Sequence, residues 1–169
     1  MNEILIKNWN KLVKPEDTVY CLGDFSLAIR PVEIYSSRLL GKKYLVPGNH
    51  DFLHSYNKKS KKEENRQKWI KKYEEHGWIV LPEQTTLDIP GVTRVNLCHH
   101  PYANGEETRH GDKYAKWRPK DDGRWLLHGH CHSLTQKNLD KRMVDIGVDC
   151  WNYKPVSIEQ IKELIENAK

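Results

Sequence analysis

The sequence has 169 residues, 37% hydrophobic and 30% charged, and its formal net charge of +5 is mild. A chain of this length buries roughly 70% of the surface its unfolded form exposes, enough for a single domain over residues 1–169 that needs no disulfide staples. Mean hydropathy is −0.82 and apolar runs such as Trp78-Ile79-Val80-Leu81 are only strand-sized, which excludes a transmembrane span; with no signal-like start either, the expected location is the cytoplasm.

In chain order, Leu5, Trp9 and Leu12 recur at helical spacing after Asn2 and predict an amphipathic helix over residues 2–13. Thr18 to Leu22 is short and β-prone, and its tip carries Gly23-Asp24. A second unit repeats the plan: a helix opens near Pro31 and closes at Gly41, and the strand Lys43 to Val46 ends in Gly48-Asn49-His50-Asp51. Lys58 to Lys72 interleaves lysines with Glu63, Glu64 and Gln67 and reads as a solvated helix face, with Trp69 and Tyr73 turned inward and Gly77 at its end. Trp78 to Leu81 is a strand, and Thr85 to Ile89 with Thr93 to Cys98 form a hairpin leading to His99-His100. Residues 102–123 lack periodicity and predict a long irregular loop. Trp125 to Leu127 then runs into His128-Gly129-His130-Cys131-His132, Met143 to Val148 is a last strand, and Ser157-Ile158-Glu159-Gln160 is a capping box for a terminal helix burying Ile161, Leu164 and Ile165. Early alternation of helix and strand with later β-structure predicts a layered α/β domain with mixed sheets.

Four separated segments thus end a predicted strand in a metal-binding side chain: Asp24, Asn49, His99 and His130 with His132. Carboxylate, amide oxygen and neutral imidazole are what a hard or borderline divalent cation requires. In this order the segments resemble the calcineurin-like metallophosphoesterase family, specifically its small phage and bacterial members, whose pattern runs Asp-x-His, Gly-Asp, Gly-Asn-His-Asp/Glu, a lone His and Gly-His-x-His; the tail Val148 to Ser157 is similar too. The resemblance implies an α-β-β-α sandwich and hydrolysis of a phosphate mono- or diester by a metal-activated hydroxide at a dinuclear centre. Asp24 would bridge the metals, with Asn49, His99 and His130 on one and His132 on the other. His50 would protonate the leaving group or stabilise charge, with Asp51 orienting its ring. Mn²⁺ is the expected ion, with iron or zinc as alternatives; nucleotide, nucleic-acid and phosphoprotein substrates are not distinguished, and no membrane partner is expected.

The sequence departs from that pattern at its start, where no Asp-x-His precedes Gly23. Two expected ligands of the second metal are therefore absent, and so is a central strand, leaving one sheet with a gap. A start recorded downstream of the true one, a strand supplied by a partner, and a one-metal or inactive relative serving as a binding or assembly protein compete as explanations, the first being preferred. A rival metal reading joins Cys98 and Cys131 to His99 and His132 in a structural zinc site, although Cys21, Cys98, Cys131 and Cys150 show no Cys-x-x-Cys spacing. His100 and His128 could trade places with the proposed ligands, His54, His76 and His110 fit no motif, and Arg109, Lys116, Arg118 and Arg124 are candidates to contact phosphate.

Overall fold

The computed structural model describes residues 1–103, 113–132 and 142–168. Helix α1, Asn2–Leu12, lays Ile6 and Trp9 against the core; Asn2 is its first residue, and Met1 occupies the cap position without a side-chain hydrogen bond. Strand β1 (Thr18–Cys21) is followed by α2 (Ile29–Tyr35), β2 (Lys42–Leu45), α3 (Glu63–Glu75) and β3 (Trp78–Val80). These three strands are parallel, in the order β1-β2-β3. α2 is shorter than its pattern suggests, because a 3₁₀ turn over Ser36–Arg38 intervenes before Gly41.

The second sheet is mixed. β4 (Gln84–Ile89) and β5 (Thr93–Cys98) form the expected antiparallel hairpin, and β6 (Leu126–His128) and β7 (Met143–Asp145) add in parallel. β7 stops before Val148 because the Asp145 carboxylate accepts the Gly147 N–H at 2.8 Å, and the chain turns into a 3₁₀ segment, Val148–Trp151. Helix α4, Ile158–Asn167, starts at the Ser157–Gln160 capping box, both of whose hydrogen bonds are made.

Two apolar clusters hold the layers together. Ile6, Val32, Leu39, Leu45, Leu53, Tyr73 and Trp78 join α1, α2 and α3 to one face of the first sheet. Val95, Leu97, Leu127 and Val144, from one face of the second sheet, pack with Leu22, Val46 and the α4 residues Ile161 and Ile165. Each such fully buried aliphatic side chain contributes about 1.5–3 kcal/mol.

β1 is an edge strand. The bonds Lys42 N–H to Asp17 O and Val46 N–H to Cys21 O bracket its ladder with β2, so Val19 and Cys21 engage β2 while Thr18 and Tyr20 turn their peptide groups the other way. Among the described residues no strand lies on that side. A cleft of about 1160 Å³ lies there instead, walled by Leu5 and Trp9 of α1, Leu97 and Leu127 of the second sheet and Ile161 of α4. The cleft reaches Asp24, His99, His130 and His132.

Candidate metal centre

β1, β2, β5 and β6 all lead at their C-terminal ends to the residues singled out above, and the carboxyl ends of parallel strands are where α/β sheets gather their ligand groups. Close approach of two loops makes this possible. Gly23 has φ +88°, and a Cβ on it would overlap the backbone of Gly48; a Cβ on Gly48 would overlap Asp24 and come within 2.8 Å of His99 Nδ1. Asp24, His130 and His132 themselves have φ of 51°, 72° and 47°, backbone strain of the kind that aims side chains at functional sites.

Three polar atoms converge on His99 Nε2: Asn49 Oδ1 at 3.1 Å, His130 Nδ1 at 3.2 Å and Asp24 Oδ2 at 3.3 Å. His99 Nδ1 donates to Leu22 O at 2.8 Å, which leaves Nε2 as the ring's lone-pair nitrogen when the imidazole is neutral. Acceptors gathered this closely are favourable only around positive charge, either a proton on His99 or a cation. A divalent ion with bonds of about 2.0–2.2 Å sets its ligands roughly 3.0–3.5 Å apart, which is the spacing here, and the donor set of one carboxylate, one amide and two imidazoles fits such an ion.

The electrostatics agree. Burial opposes ionisation of Asp24, but the His99 hydrogen bond and charge outweigh it and hold the carboxyl below its ordinary range. Burial likewise works against a charged His99, and the Asp24 carboxylate reverses the balance upward. His130 is pulled down to about 4, first by burial and then by His99.

The Asp51 carboxylate is fully buried, and its hydrogen bonds come from the backbone N–H of Asp24, Gly48 and Ser26 and from the Tyr73 hydroxyl rather than from the His50 ring. The reason is geometric, since backbone donors of two adjoining loops point into the space that Asp51 fills. His50 is exposed, with its backbone N–H bonded to Asp24 Oδ1 at 2.8 Å.

His132 is not gathered with the other four. Its side chain is 78% exposed and its Nδ1 lies 2.9 Å from Asp149 Oδ2, a partner the sequence reading did not single out. Cys98 faces away from His99 and packs with Tyr102, Leu126 and Met143, so the four residues of the rival zinc site are dispersed. Arg118 donates to Pro101 O at 3.1 Å, Arg124 pairs with Asp122 before β6 and so away from the strand tips, and Lys116 lies over Trp117. Arg109 and His110 lie outside the described residues. An aromatic wall also flanks the centre: Tyr114 stacks on His100 at 4.9 Å and meets His130 edge-on at 4.8 Å, and Tyr56 joins Tyr114 to Trp117.

Against known proteins, residues 2–152 match the model of the calcineurin-like phosphoesterase superfamily domain. The chain belongs to that superfamily. It is similar to the Gene 66 protein of Mycobacterium phage L5, at 32% identity over 96% of this chain and 80% of the relative, and to an uncharacterized protein of Methanocaldococcus jannaschii, at 28% over 100% and 77%. A crystal structure of a protein of unknown function from Aquifex aeolicus superposes with a TM-score of 0.67 at 26% identity, covering 97% of this chain and 84% of that one. The small phage and bacterial type is therefore the right branch, and the two-sheet layered fold is that of the family.

Metal-dependent phosphoester hydrolysis is the general chemistry of the calcineurin-like phosphoesterases, and the family implies divalent metal ions. Among the described residues no helix is long and apolar enough to cross a membrane.

Proposed function

We propose that this chain hydrolyses phosphate esters with a divalent metal held by Asp24, Asn49, His99 and His130. The observation that carries the reading is the convergence of three ligand atoms within 3.3 Å of His99 Nε2. A metal there would supply Lewis acidity and an activated water. Mn²⁺ suits the oxygen and imidazole donors, and iron or zinc would be accepted by the same set.

The remaining roles fall to the chain's own groups. His50, exposed and tied to Asp24 through its backbone N–H, would donate a ring N–H to the leaving oxygen. Asp51 holds the Asp24 and Gly48 loops in register, a positioning role. Tyr114 and His100 stack on one another at one side of the centre and would limit the approach of water there.

A dinuclear centre would need His132 and a shared Asp24 on the cleft side. The exposure of His132 and its pairing with Asp149 favour a second reading, in which this chain alone completes one metal site. The test is hydrolysis of a chromogenic phosphodiester with added Mn²⁺, with the metal content of the protein measured alongside. Activity above the Asp24→Asn variant supports the enzyme; parity with that variant sinks it and leaves a binding or assembly role. About two Mn²⁺ per chain, both lost in Asp24→Asn, would require the dinuclear form, and one would fit the four-residue site.

A further inference from the structure

A second cluster of metal-ligating side chains lies apart from the first. His128, Cys131 and Asp145 each bring one ligand atom to within 4.8 Å of the others. His128 and Asp145 are register partners at the ends of β6 and β7, 1% and 2% exposed. Alternation sets them on the face opposite Leu127 and Val144, whose side chains join the inner core. Cys131 is brought to them by a tight reversal. Its N–H donates to Gly129 O at 2.9 Å across His130, whose φ of 72° is that of a γ-turn, so the backbone that aims His130 at the first centre returns the next residue toward His128.

The surroundings orient two of these groups as ligands. His128 Nδ1 donates to Gly129 O at 2.8 Å, which fixes the tautomer with the lone pair on Nε2. Asp145 Oδ1 accepts from Gly147 N–H at 2.8 Å, which fixes the orientation of the carboxylate. Zinc ligands in a tetrahedral shell sit roughly 3.3–3.8 Å from one another, so side-chain rotations of less than about an ångström would close this cluster on an ion. Thiolate, imidazole and carboxylate together select Zn²⁺ over Mn²⁺.

We infer that His128, Cys131 and Asp145 form a Zn²⁺ site with three protein ligands and a fourth position open to water, which ties the ends of β6 and β7 to the loop bearing His130 and His132. It shares Cys131 with the zinc reading of the sequence but none of that reading's other ligands. It is also independent of hydrolysis, since Asp24 takes no part.

Co²⁺ substitution tests it, because a thiolate ligand gives an intense near-ultraviolet sulfur-to-cobalt charge-transfer band. Metal-free, reduced protein is titrated with Co²⁺ and then with Zn²⁺ in competition. The band is expected in the native protein and in Asp24→Asn and Cys98→Ser, to vanish in Cys131→Ser, to weaken at least tenfold in apparent affinity in Asp145→Asn, and to be displaced by Zn²⁺. Thermal unfolding of each variant in chelator verifies that it folds. No band in the native protein, a band that survives Cys131→Ser, loss in Cys98→Ser, or unchanged affinity in Asp145→Asn would each overturn the assignment. Loss of hydrolysis in Asp24→Asn with the band intact would separate this site from the proposed catalytic one.

Discussion

The Asp51 carboxylate reaches across two loops to hold Asp24: its Oδ2 accepts the Asp24 N–H at 2.8 Å while also accepting Gly48 N–H at 2.9 Å. Oδ1 takes Ser26 N–H and the Tyr73 hydroxyl, so every oxygen lone pair faces a donor. In Asp51→Asn one oxygen becomes an amide NH₂ pressed against a backbone N–H in either orientation. Each buried donor left unmatched costs about 1–3 kcal/mol, so a loss of about 2–4 kcal/mol is expected. Displacing the Asp24 loop should weaken Mn²⁺ binding about 10–100-fold. Urea unfolding and calorimetric titration measure the two effects; native-like Mn²⁺ affinity would remove the positioning role. Tyr73→Phe, which deletes one hydrogen bond to the charged group, should cost about 1–2 kcal/mol.

Gly23 and Gly77 both have positive φ, +88° and +83°, but only Gly23 is crowded. Gly77→Ala should therefore cost about 1 kcal/mol, the backbone term alone. Gly23→Ala adds overlap with Gly48 and should exceed about 3 kcal/mol while also disturbing the centre. Comparing their denaturation midpoints decides the matter, and equal losses would mean that the loops are not in tight contact.

Acid should destabilise the metal-free protein through the histidines whose charged form burial disfavours, His54, His100 and His130, against the opposite contribution of His99. Burial pulls His54 down to about 4; Tyr56 N–H donates to its Nδ1 at 3.0 Å, and its Nε2 lies 3.6 Å from Glu83 Oε2. The folded value lies below the ordinary 6.5, so the neutral ring favours the folded state. That stability is complete above about pH 6.5 and is lost as pH falls toward 4, a linkage of about 3 kcal/mol at most. Burial also pulls His100 down, to about 2, and His130 shifts the same way. His54→Asn, which keeps an acceptor for Tyr56, should flatten part of the fall in unfolding free energy between pH 7 and 4.5. An unchanged slope would show that His54 does not carry it.

The two halves of the proposed centre should respond unequally to mutation. His99→Ala removes the atom on which the other three converge and should abolish tight Mn²⁺ binding. His132→Ala, at an exposed position paired with Asp149, should leave that affinity within about threefold, any loss in turnover reporting instead on interactions made in the transition state. Equilibrium dialysis with Mn²⁺ beside the hydrolysis assay distinguishes them.

Side chains that announce themselves by type were legible in the sequence. Asp24, Asn49, His99 and His130 follow β-prone runs and glycines, and Ser157 with Gln160 spells its own cap. What was hidden depends on where the backbone turns. Asp51 reads as a neighbour of His50, yet its partners are N–H groups of residues 24, 26 and 48, which carry no side-chain signature. Asp149 lies 17 residues from His132, and Tyr114 sits in a stretch without periodicity, so their contacts arise only from the fold. Met143 to Val148 reads as a continuous strand because the Asp145 side chain, which ends it, is itself strand-compatible beside Gly147.

The cleft beside β1 leaves its calorimetric mark. Met1, Leu12 and Leu27 border that space exposed, and Leu5 and Trp9 border it half-buried, so part of the apolar surface that unfolding would newly hydrate is already wet in the native state. A chain of 169 residues would ordinarily show a heat-capacity increment of about 2.0–2.5 kcal/mol/K on unfolding. This one should fall short of that range, with a correspondingly shallow denaturant dependence and a broad, flat stability curve.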